Sequence, residues 1–511
     1  MTVPLRPLLC ALALLALLAG PCPATAAPEG TLTWGVHITL VSRFLDPADT
    51  DGLITPFMVH YALHDALVKP MPGGINTPSL AESWTASKDG LVYEFVLRKG
   101  PRFHNGEPVT AEDVKFSFER YRGSGAKLLK ERVAGIDTPD AQHVRFRLKE
   151  PWPDFMTFYG TSATGSGWIV PKKYVEKVGD DGFKKAPVGA GPFKFVSFNP
   201  GVELVLEAVD GYWRKTPSIK RVVLRSITEE TTRAAALKKG EVDIAFLLTG
   251  PVGEEIKRTP GLTLVAPLLD GVFWLDFPDQ WDPKSPWSDK RVRQAASLAV
   301  DRQALNQAET LGFSRLTGSI IPRNFEFALP IEAAAYDPKR AKQLLAEAGH
   351  ATGFDAGDFY PFPPYNAMGE AIAGYLQAIG IRTRIKTMER AAFQTAWREK
   401  KLHGVVVGIT GASGNAATRL EAYVTRTGIY AYGVLPEVED LFHRQAKEID
   451  RKKREAMLHQ IQKILHDHAM HAPLYQLGFT NGVGPRVEES ATGLIPGFAY
   501  NAPYENIRLK K

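Results

Sequence analysis

The sequence predicts an α/β protein, because stretches with the period of a strand alternate along the chain with stretches that have the spacing of a helix. Residues 91–98 alternate apolar and polar side chains, as a half-buried strand does. A helical stretch at 228–239 leads directly into the apolar run 242–246, and a helical stretch at 337–349 precedes the alternating residues 381–387. Repeated helix-then-strand order is typical of α/β domains whose sheets are covered on both faces.

Local signals mark the ends of these elements in chain order. The dipeptide Asp89-Gly90 predicts a turn before the first alternating stretch, and 144–148 is a second alternating stretch. Thr110, followed three residues later by Asp113, has the form of a capping box at the start of a helix. Loops or domain edges are predicted where proline and glycine cluster, at 70–74, 186–192 and 361–364.

The first 26 residues have the pattern of a secretory signal peptide. Arg6 is followed by the apolar run 8–18, then by glycine and proline, and then by the small residues 24–27. A membrane span needs about 20 apolar residues, so this run is too short to be one. We therefore expect cleavage near Ala26 or Ala27 and a protein located in the periplasm.

Cys22 raises the alternative of a bacterial lipoprotein, which would be cleaved just before that cysteine. Pro21, between Gly20 and Cys22, disrupts the usual small-residue-then-cysteine junction. Cys10 and Cys22 are the chain's two cysteines, and both lie within 1–26. The mature chain is therefore expected to hold no disulfide and no cysteine-ligated metal.

The charge balance gives little reason to expect a nucleic-acid partner. The chain has 62 Lys and Arg against 56 Asp and Glu, and most basic residues are scattered. The run Arg451-Lys452-Lys453-Arg454 falls in a stretch with helical spacing, where a solvated helix face is the simplest interpretation.

Motifs for enzyme or metal chemistry are weak. Four histidines have spacings that a helix could bring together: His459, His466, His468 and His471. However, no H-E-x-x-H motif is present, and the helix is expected to end at 472–473, where the chain must change direction. Residues 164–167 lack the flanking glycines of a nucleophile elbow and the lysine of a phosphate loop. No catalytic residue, metal site or cofactor is predicted, and we expect a protein that is not an enzyme.

Several segments, in order along nearly the whole mature chain, resemble the family-5 extracellular solute-binding proteins of bacterial ABC importers, which include dipeptide-, oligopeptide- and nickel-complex-binding proteins. The strongest is LAESW at 80–84 followed by RFHNGEPVTAEDV at 102–114. Further matches are LDP at 45–47, GAGPF at 189–193, YW at 212–213, LKKGEVD at 237–243, VRQAA at 292–296, AVDR at 299–302, YDP at 336–338 and APLY at 472–475.

The resemblance implies a two-lobed periplasmic-binding-protein fold with two hinge strands and an extra subdomain, of the cluster C type. Lobe I is expected at 27–50, 186–270 and 479–511, the additional subdomain at 50–185, and lobe II at 271–478. It also implies a monomer that closes on a small molecule or peptide and delivers it to an ABC permease in the inner membrane. A sensor or chaperone with the same fold is the alternative function; a hydrolase would need a nucleophile–base pair that the sequence does not show.

The resemblance also suggests where the ligand binds. Relatives that bind peptides pair the ligand backbone with the segment before LDP, which here is Leu40, Val41 and Ser42, with His37 slightly upstream. The first hinge resembles residues 273–278, in which Trp274 could either stack on the ligand or fill the interface between the lobes.

The second lobe departs from the pattern of peptide binders. Those relatives commonly have Gly-Trp-x-x-Asp, whose Asp meets the ligand ammonium; here Thr410 stands at the Trp position and Ser413 at the Asp position, with Asn415 and Arg419 close behind. We expect these four to line the site and ordinary dipeptides to bind poorly, while neutral, anionic or metal-complex solutes stay open. Two alternatives remain: Glu421 replaces the missing acid, or Arg419 caps a helix or lies in solvent.

Overall fold

The computed structural model describes residues 27–49, 56–160, 164–410 and 414–510, without the side chains of Ala391 and Thr410. The predicted signal peptide at 1–26, with its cleavage site near Ala26 or Ala27, and the predicted ligand contact Ser413 lie outside the described residues. None of the helices in the described ranges is long and apolar enough to cross a bilayer.

The described chain alternates strands and helices throughout, in agreement with the predicted α/β class. In chain order the strands are β1 (Glu29–Val36), β2 (Asp65–Ala66), β3 (Val68–Met71), β4 (Gly74–Pro78), β5 (Ala81–Ala86), β6 (Val92–Leu97), β7 (Val133–Asp137), β8 (His143–Leu148), β9 (Trp168–Ile169), β10 (Phe193–Asn199), β11 (Glu203–Ala208), β12 (Ile219–Ser226), β13 (Ile244–Ala245), β14 (Thr263–Val265), β15 (Leu268–Asp276), β16 (Arg315–Leu316), β17 (Phe354–Tyr360), β18 (Ile381–Ile385), β19 (Val405–Thr410), β20 (His471–Gly478), β21 (Asn481–Val483), β22 (Val487–Glu489) and β23 (Arg508–Leu509). The α-helices are α1 (Phe57–Leu63), α2 (Ala111–Arg120), α3 (Ala126–Arg132), α4 (Phe155–Tyr159), α5 (Lys172–Lys185), α6 (Glu230–Lys238), α7 (Gly250–Arg258), α8 (Lys290–Ala299), α9 (Arg302–Thr310), α10 (Pro338–Glu347), α11 (Asn366–Ala378), α12 (Arg390–Arg398), α13 (Ala416–Val424), α14 (Pro436–Gln445) and α15 (Arg451–Asp467).

Lobe I is built on a seven-stranded sheet with the order β10-β11-β12-β1-β13-β21-β14. β1 lies in its middle and runs parallel to both β12 and β13, with Trp34 opposite Leu224 on one side and Ile244 on the other. The last three residues of β1 and both residues of β13 are buried, and the three strands run in the same direction. Their carboxyl ends therefore lie at the same edge.

Lobe II is built on a six-stranded sheet with the order β16-β20-β15-β19-β17-β18. β17 runs parallel to β18 and to β19, so these three strands also end at one edge. β15 is antiparallel to its neighbours β19 and β20, and nearly all of its nine residues are buried. Helices from 290 to 467 pack around this sheet, as the helix-then-strand pattern predicts.

The additional subdomain contains a four-stranded antiparallel sheet with the order β5-β6-β8-β7. Burial alternates along 92–97 and 143–148, with Phe95 and Phe146 turned into a separate hydrophobic core. The period of two read from the sequence is confirmed there. The capping box is also present: Asp113 accepts hydrogen bonds from the backbone and the hydroxyl of Thr110, at 2.9 and 2.7 Å.

Two chain crossings connect lobe I to lobe II, as the two-lobed fold requires. The chain enters lobe II where β14 is followed by β15, and it returns where β20 is followed by β21. Leu268 lies opposite Gly478, so the two crossings are antiparallel neighbours. Two adjacent strands can bend together about one axis, which is the arrangement that hinge closure needs.

The basic run in α15 differs from the predicted solvated face. Lys452 and Lys453 are exposed, and Arg451 forms an ion pair with Glu326 (3.0 Å). Arg454, in contrast, is only 4% exposed and its guanidinium binds Asp154 of the additional subdomain. The hypothesis of a wholly solvated run is wrong for Arg454, because this position of the helix faces another domain rather than water.

Candidate functional site

The carboxyl ends of the parallel strands in both lobes place side chains where the lobes meet. In lobe I, His37 follows β1 and Phe246 follows β13; in lobe II, Phe362 follows β17 and Arg390 follows β18. Ligands of open α/β sheets bind beyond the carboxyl ends of the strands. These two edges, with Tyr365 and with Tyr500 from the C-terminal part of the chain, form what we call the cleft.

The lobe I wall of the cleft is aromatic. The ring of His37 lies 5.4 Å from that of Tyr500, 5.7 Å from that of Phe479 and 6.3 Å from that of Phe246. Burial, together with the smaller effect of the positive charges of Arg233 and Arg390, lowers the pKa of His37 to about 3. His37 is therefore neutral at physiological pH and offers the cleft an uncharged ring.

The lobe II wall is aromatic as well but carries a charge at its rim. Tyr365 packs edge-on against Phe273 of β15 with ring centroids 4.9 Å apart. Burial raises the pKa of Tyr365, and Tyr500 of lobe I adds to that rise. The Arg390 guanidinium lies over the ring of Phe362, 5.6 Å from its centroid. Phe362 and Tyr500 belong to one hydrophobic core cluster, and Tyr365 packs against it.

The predicted peptide-pairing segment lies beside His37, but its first residue is already occupied within lobe I. The Leu40 amide donates to Ser226 Oγ (3.0 Å), and the Leu40 carbonyl accepts from the Gly201 amide (2.9 Å). The Leu40 side chain is 1% exposed. Leu40 therefore serves the fold rather than the ligand in this arrangement. Val41 and Ser42 are more accessible, with Ser42 exposed at the start of a short 3-10 helix.

Trp274 is inside lobe II and does not line the cleft. Its side chain is 0% exposed, and its ring packs edge-on against Tyr423 at 5.0 Å and against His471 at 6.2 Å. An added Cβ at Gly408 would lie 2.6 Å from this ring, which shows how closely β19 packs on it. Neither stacking on a ligand nor filling the interface between lobes describes this residue, because the side chain points to the opposite face of β15 from Phe273.

Arg419 is also buried away from any ligand. It is 2% exposed, and it donates hydrogen bonds to the carbonyl oxygens of Ile320 and Asp270, both at 3.0 Å. Burial lowers its pKa to about 10. The expectation of a ligand-facing guanidinium is wrong, and so are the alternatives of a helix cap or a solvated side chain, because the planar fork is used to join segments of backbone inside lobe II.

Asn415 caps α13 and reaches the additional subdomain instead of the cleft. Its Oδ1 accepts from the Thr418 amide (3.0 Å), and its Nδ2 donates to Asp154 Oδ1 (2.6 Å). Burial raises the pKa of Glu421, near Arg132 and Asp154. The acid proposed as a substitute anchor therefore lies on the subdomain side of lobe II.

Thr410 is the last residue of β19 and pairs through its backbone with Val272 of β15. This places the end of β19 at the cleft edge of lobe II. The Thr410 side chain and Ser413 lie outside what the structure describes, so their part in binding stays a prediction.

Four cleft residues were not predicted from the sequence: Phe362, Tyr365, Arg390 and Tyr500. The first three each follow a parallel strand or its loop, so the rule that sites form at carboxyl strand ends could have identified them. Tyr500 had no such signal, because it reaches the cleft from an irregular segment near the C-terminus. The motif-based choice favoured residues that the family pattern makes recognisable, several of which are structural.

The histidines considered for metal binding are not brought together. α15 ends at Asp467, so His459 and His466 lie on the helix while His471 begins β20. Among the described residues, no group of three or more His, Cys, Asp or Glu side chains could hold a metal ion. His104, in the segment 102–114, accepts from the Gly189 amide (3.2 Å) through Nδ1 and donates to the Gly191 carbonyl (3.0 Å) through Nε2, as expected for a histidine satisfied within a turn.

Comparison with known proteins shows which family shares this architecture. Residues 77–431 match the family described as bacterial extracellular solute-binding proteins, family 5 Middle. Heme-binding protein A of Haemophilus influenzae is 28% identical over 466 residues, covering 84% of this chain and 83% of that protein.

Two solved structures are similar over most of their length. The periplasmic binding protein DppA of Helicobacter pylori, in complex with the peptide STSA, is 26% identical with a TM-score of 0.76, covering 94% of this chain and 98% of that one. The binding protein AgaA of A. tumefacien R10, in complex with agropinic acid, is 25% identical with a TM-score of 0.75, covering 94% and 99%. Their fold, with the match to the family profile, shows that this chain belongs to the family-5 bacterial extracellular solute-binding proteins, which are the binding components of ABC importers and not enzymes.

Proposed function

We propose that this chain captures a small polar organic solute in the cleft between lobe I and lobe II and releases it to an ABC permease in the inner membrane. The observation that carries the proposal is that aromatic side chains from both lobes meet at the carboxyl ends of parallel strands. Enclosed sites of this kind are mostly apolar, with a few polar groups that orient the ligand. The lobes are connected by two adjacent crossings, so closure and ligand contact are coupled.

The proposal includes where and how the chain works. The signal-peptide pattern supports export to the periplasm with cleavage near Ala26 or Ala27, and we propose that the mature protein acts as a monomer without a nucleic-acid partner. N-terminal sequencing of the exported protein tests the processing. A mature chain that begins at Cys22 and carries lipid would contradict it.

The ligand class follows from the cleft and from the sequence of lobe II. Ser413 stands where peptide-binding relatives commonly have an acid, and Arg419 and Asn415 are used inside the fold. We therefore propose that unmodified dipeptides bind poorly, because a buried ammonium without a charged partner costs about 1.5–3 kcal/mol of binding free energy. Relatives are described with heme, with the peptide STSA and with agropinic acid, so the fold alone does not define the solute.

Binding and closure are tested together on the exported, mature protein. A thermal-shift panel of dipeptides, STSA, agropinic acid and other small organic acids and amines identifies solutes that raise the melting temperature. Small-angle scattering with each hit should show a smaller radius of gyration, and chromatography should recover the solute unchanged. Chemical conversion of a hit by the pure protein would contradict a binding function.

A matched pair of variants tests the location. Tyr365→Ala removes a ring from the cleft, and it should weaken binding of each hit by about 10-fold or more, since stacked aromatic contacts and buried area are lost. Tyr336→Ala removes a tyrosine that is 48% exposed in the same lobe, and it should leave binding unchanged. Equal effects of both substitutions would show that the solute does not bind in this cleft.

A further inference from the structure

Arg390 differs from the buried arginines of the two lobes in how its guanidinium is used. Arg233, Arg293, Arg302 and Arg419 are each buried and donate hydrogen bonds to backbone carbonyl oxygens. Burial lowers the pKa of each of these four to about 10. Arg390 is exposed, and the ion pairs of the described residues do not include it. Its one described contact is with the face of Phe362 (5.6 Å).

The position of Arg390 follows from the sheet. It is the first residue of α12, a short loop beyond the carboxyl end of β18, at the same edge where β17 is followed by Phe362. An arginine stacked on an aromatic face has a preferred plane and keeps its N–H groups directed away from the ring. The guanidinium is therefore held at the rim of the cleft with its donors available.

The charge of Arg390 acts on both walls of the cleft. It contributes to the low pKa of His37, and it opposes the rise that burial causes in the pKa of Tyr500. On lobe II, Arg390 opposes the rise in the pKa of Tyr365, whereas Glu309 and Glu230 add to it. The cleft is polarised, with the positive end at Arg390.

We propose that Arg390 is the specificity-determining residue that binds an oxyanion, a carboxylate or a phosphate, on the solute held in the cleft. The planar guanidinium can donate two parallel hydrogen bonds to either group. The described residues give Arg390 no ion-pair partner, and a solute that enters between the lobes would supply one. This inference rests on the proposed function, because it assigns chemistry to the same cleft.

The test compares hits that differ in one charge. For each hit of the thermal-shift panel that carries a carboxylate or a phosphate, calorimetry measures the Kd of that solute and of its amide or methyl ester. The oxyanion form should bind wild type about 10- to 100-fold more tightly than the neutral form. Arg390→Ala should remove that difference, and Arg390→Lys should restore part of it. Separate carboxylate and phosphate probes distinguish the two oxyanions.

Arg398 offers a matched control, because it is an exposed arginine at the other end of α12. Arg398→Ala should leave every Kd unchanged, and neither substitution should alter the melting temperature of the free protein. If wild type binds no solute of the panel, the proposed function fails for those classes. If wild type binds neutral and oxyanion forms equally, or if Arg390→Ala binds them as wild type does, the proposed role of Arg390 is wrong. The proposed binding function of the cleft is unaffected by that result.

Discussion

Lobe II meets the rest of the molecule at two regions that use charge in opposite ways. At the additional subdomain, Asp154 is 6% exposed and is bound by two lobe II side chains: Asn415 donates to Oδ1 at 2.6 Å, and Arg454 donates to Oδ2. Arg454 also donates to Gln445 Oε1 at 3.0 Å. At the cleft, the charged group is the exposed Arg390 over an aromatic ring.

The difference indicates which region holds the closed arrangement and which one receives the solute. A buried ion pair is favourable only when further hydrogen bonds satisfy it, and Asp154 has such partners. Asn415 also caps α13, two residues beyond the predicted ligand position Ser413. The subdomain contact therefore fixes the start of α13 next to the cleft. At the cleft itself, Arg390 has no ion-pair partner among the described residues.

Lowering the pH is expected to have the largest effect, because it destabilises both regions at once. Burial holds the pKa of His37 and His64 at about 3, and that of His104 and His471 at about 4, below the ordinary value of 6.5. The unfolded chain takes up protons below pH 6.5 and the folded chain does not. The stability from these groups is fully present above pH 6.5 and is lost as the pH falls toward 4.

The expected slope is up to about 1.4 kcal/mol of unfolding free energy per pH unit for each histidine. Asp276 acts in the opposite sense, because burial raises its pKa to about 7 and its contribution is lost as the pH rises. The pKa of buried His60 is lowered as well, whereas burial raises the pKa of Asp113, Glu309, Glu326 and Glu421. Because the histidines of the unfolded chain take up protons from pH 6.5 downward, denaturant unfolding should show a net decrease in stability between pH 6.5 and 4.5. His64→Phe should reduce the slope, and His143→Gln, an exposed control, should not. A stability that rises on acidification would contradict the assigned directions.

Asp154→Ala breaks the subdomain contact alone. It leaves the Arg454 charge buried without its partner, so the unfolding free energy should fall by about 3–5 kcal/mol. Scattering should also show a larger radius of gyration, since the additional subdomain loses its bond to lobe II. Asp140→Ala removes an exposed carboxylate from the same subdomain and should change stability by less than about 0.5 kcal/mol. A loss below about 1 kcal/mol for Asp154→Ala would show that the contact does not hold the arrangement.

Arg419→Met separates the structural arginine from the ligand-binding one. The substitution keeps much of the side-chain volume but leaves the Ile320 and Asp270 carbonyls without their donor. We expect about 2 kcal/mol of lost unfolding free energy. Calorimetry with a panel hit should give an unchanged Kd once the folded fraction is accounted for. A large loss of affinity in fully folded protein would show that Arg419 belongs to the binding site after all.

The smallest effect is expected within the basic run of α15. Lys452→Ala and Lys453→Ala remove exposed charges and should change the unfolding free energy by about 0.5 kcal/mol or less. Arg454→Ala, one position along, should be as costly as Asp154→Ala. Equal denaturation curves for the three variants would remove the distinction between the solvated and the buried part of this run.

Local patterns account for what was predicted correctly. The alternation at 91–98 and the capping box of Thr110 and Asp113 depend on residues within a few positions of each other, and both are present in the structure. The family resemblance added the two-lobed architecture and the region of the site. Trp274, Leu40 and Arg419 were assigned to the ligand because their positions in the family pattern lie near it, and their burial could not be read from that pattern.

The sequence by itself determined the α/β class, the family and the strand ends from which a cleft is built, because those depend on short-range periodicity and motif order. Which arginine faces the solute was decided only by the tertiary structure. Arg419 is bound by carbonyls 99 and 149 residues away, and Asp154 by side chains 261 and 300 residues away. Whether a guanidinium is buried and satisfied or left available depends on such distant acceptors, and folding brings them together.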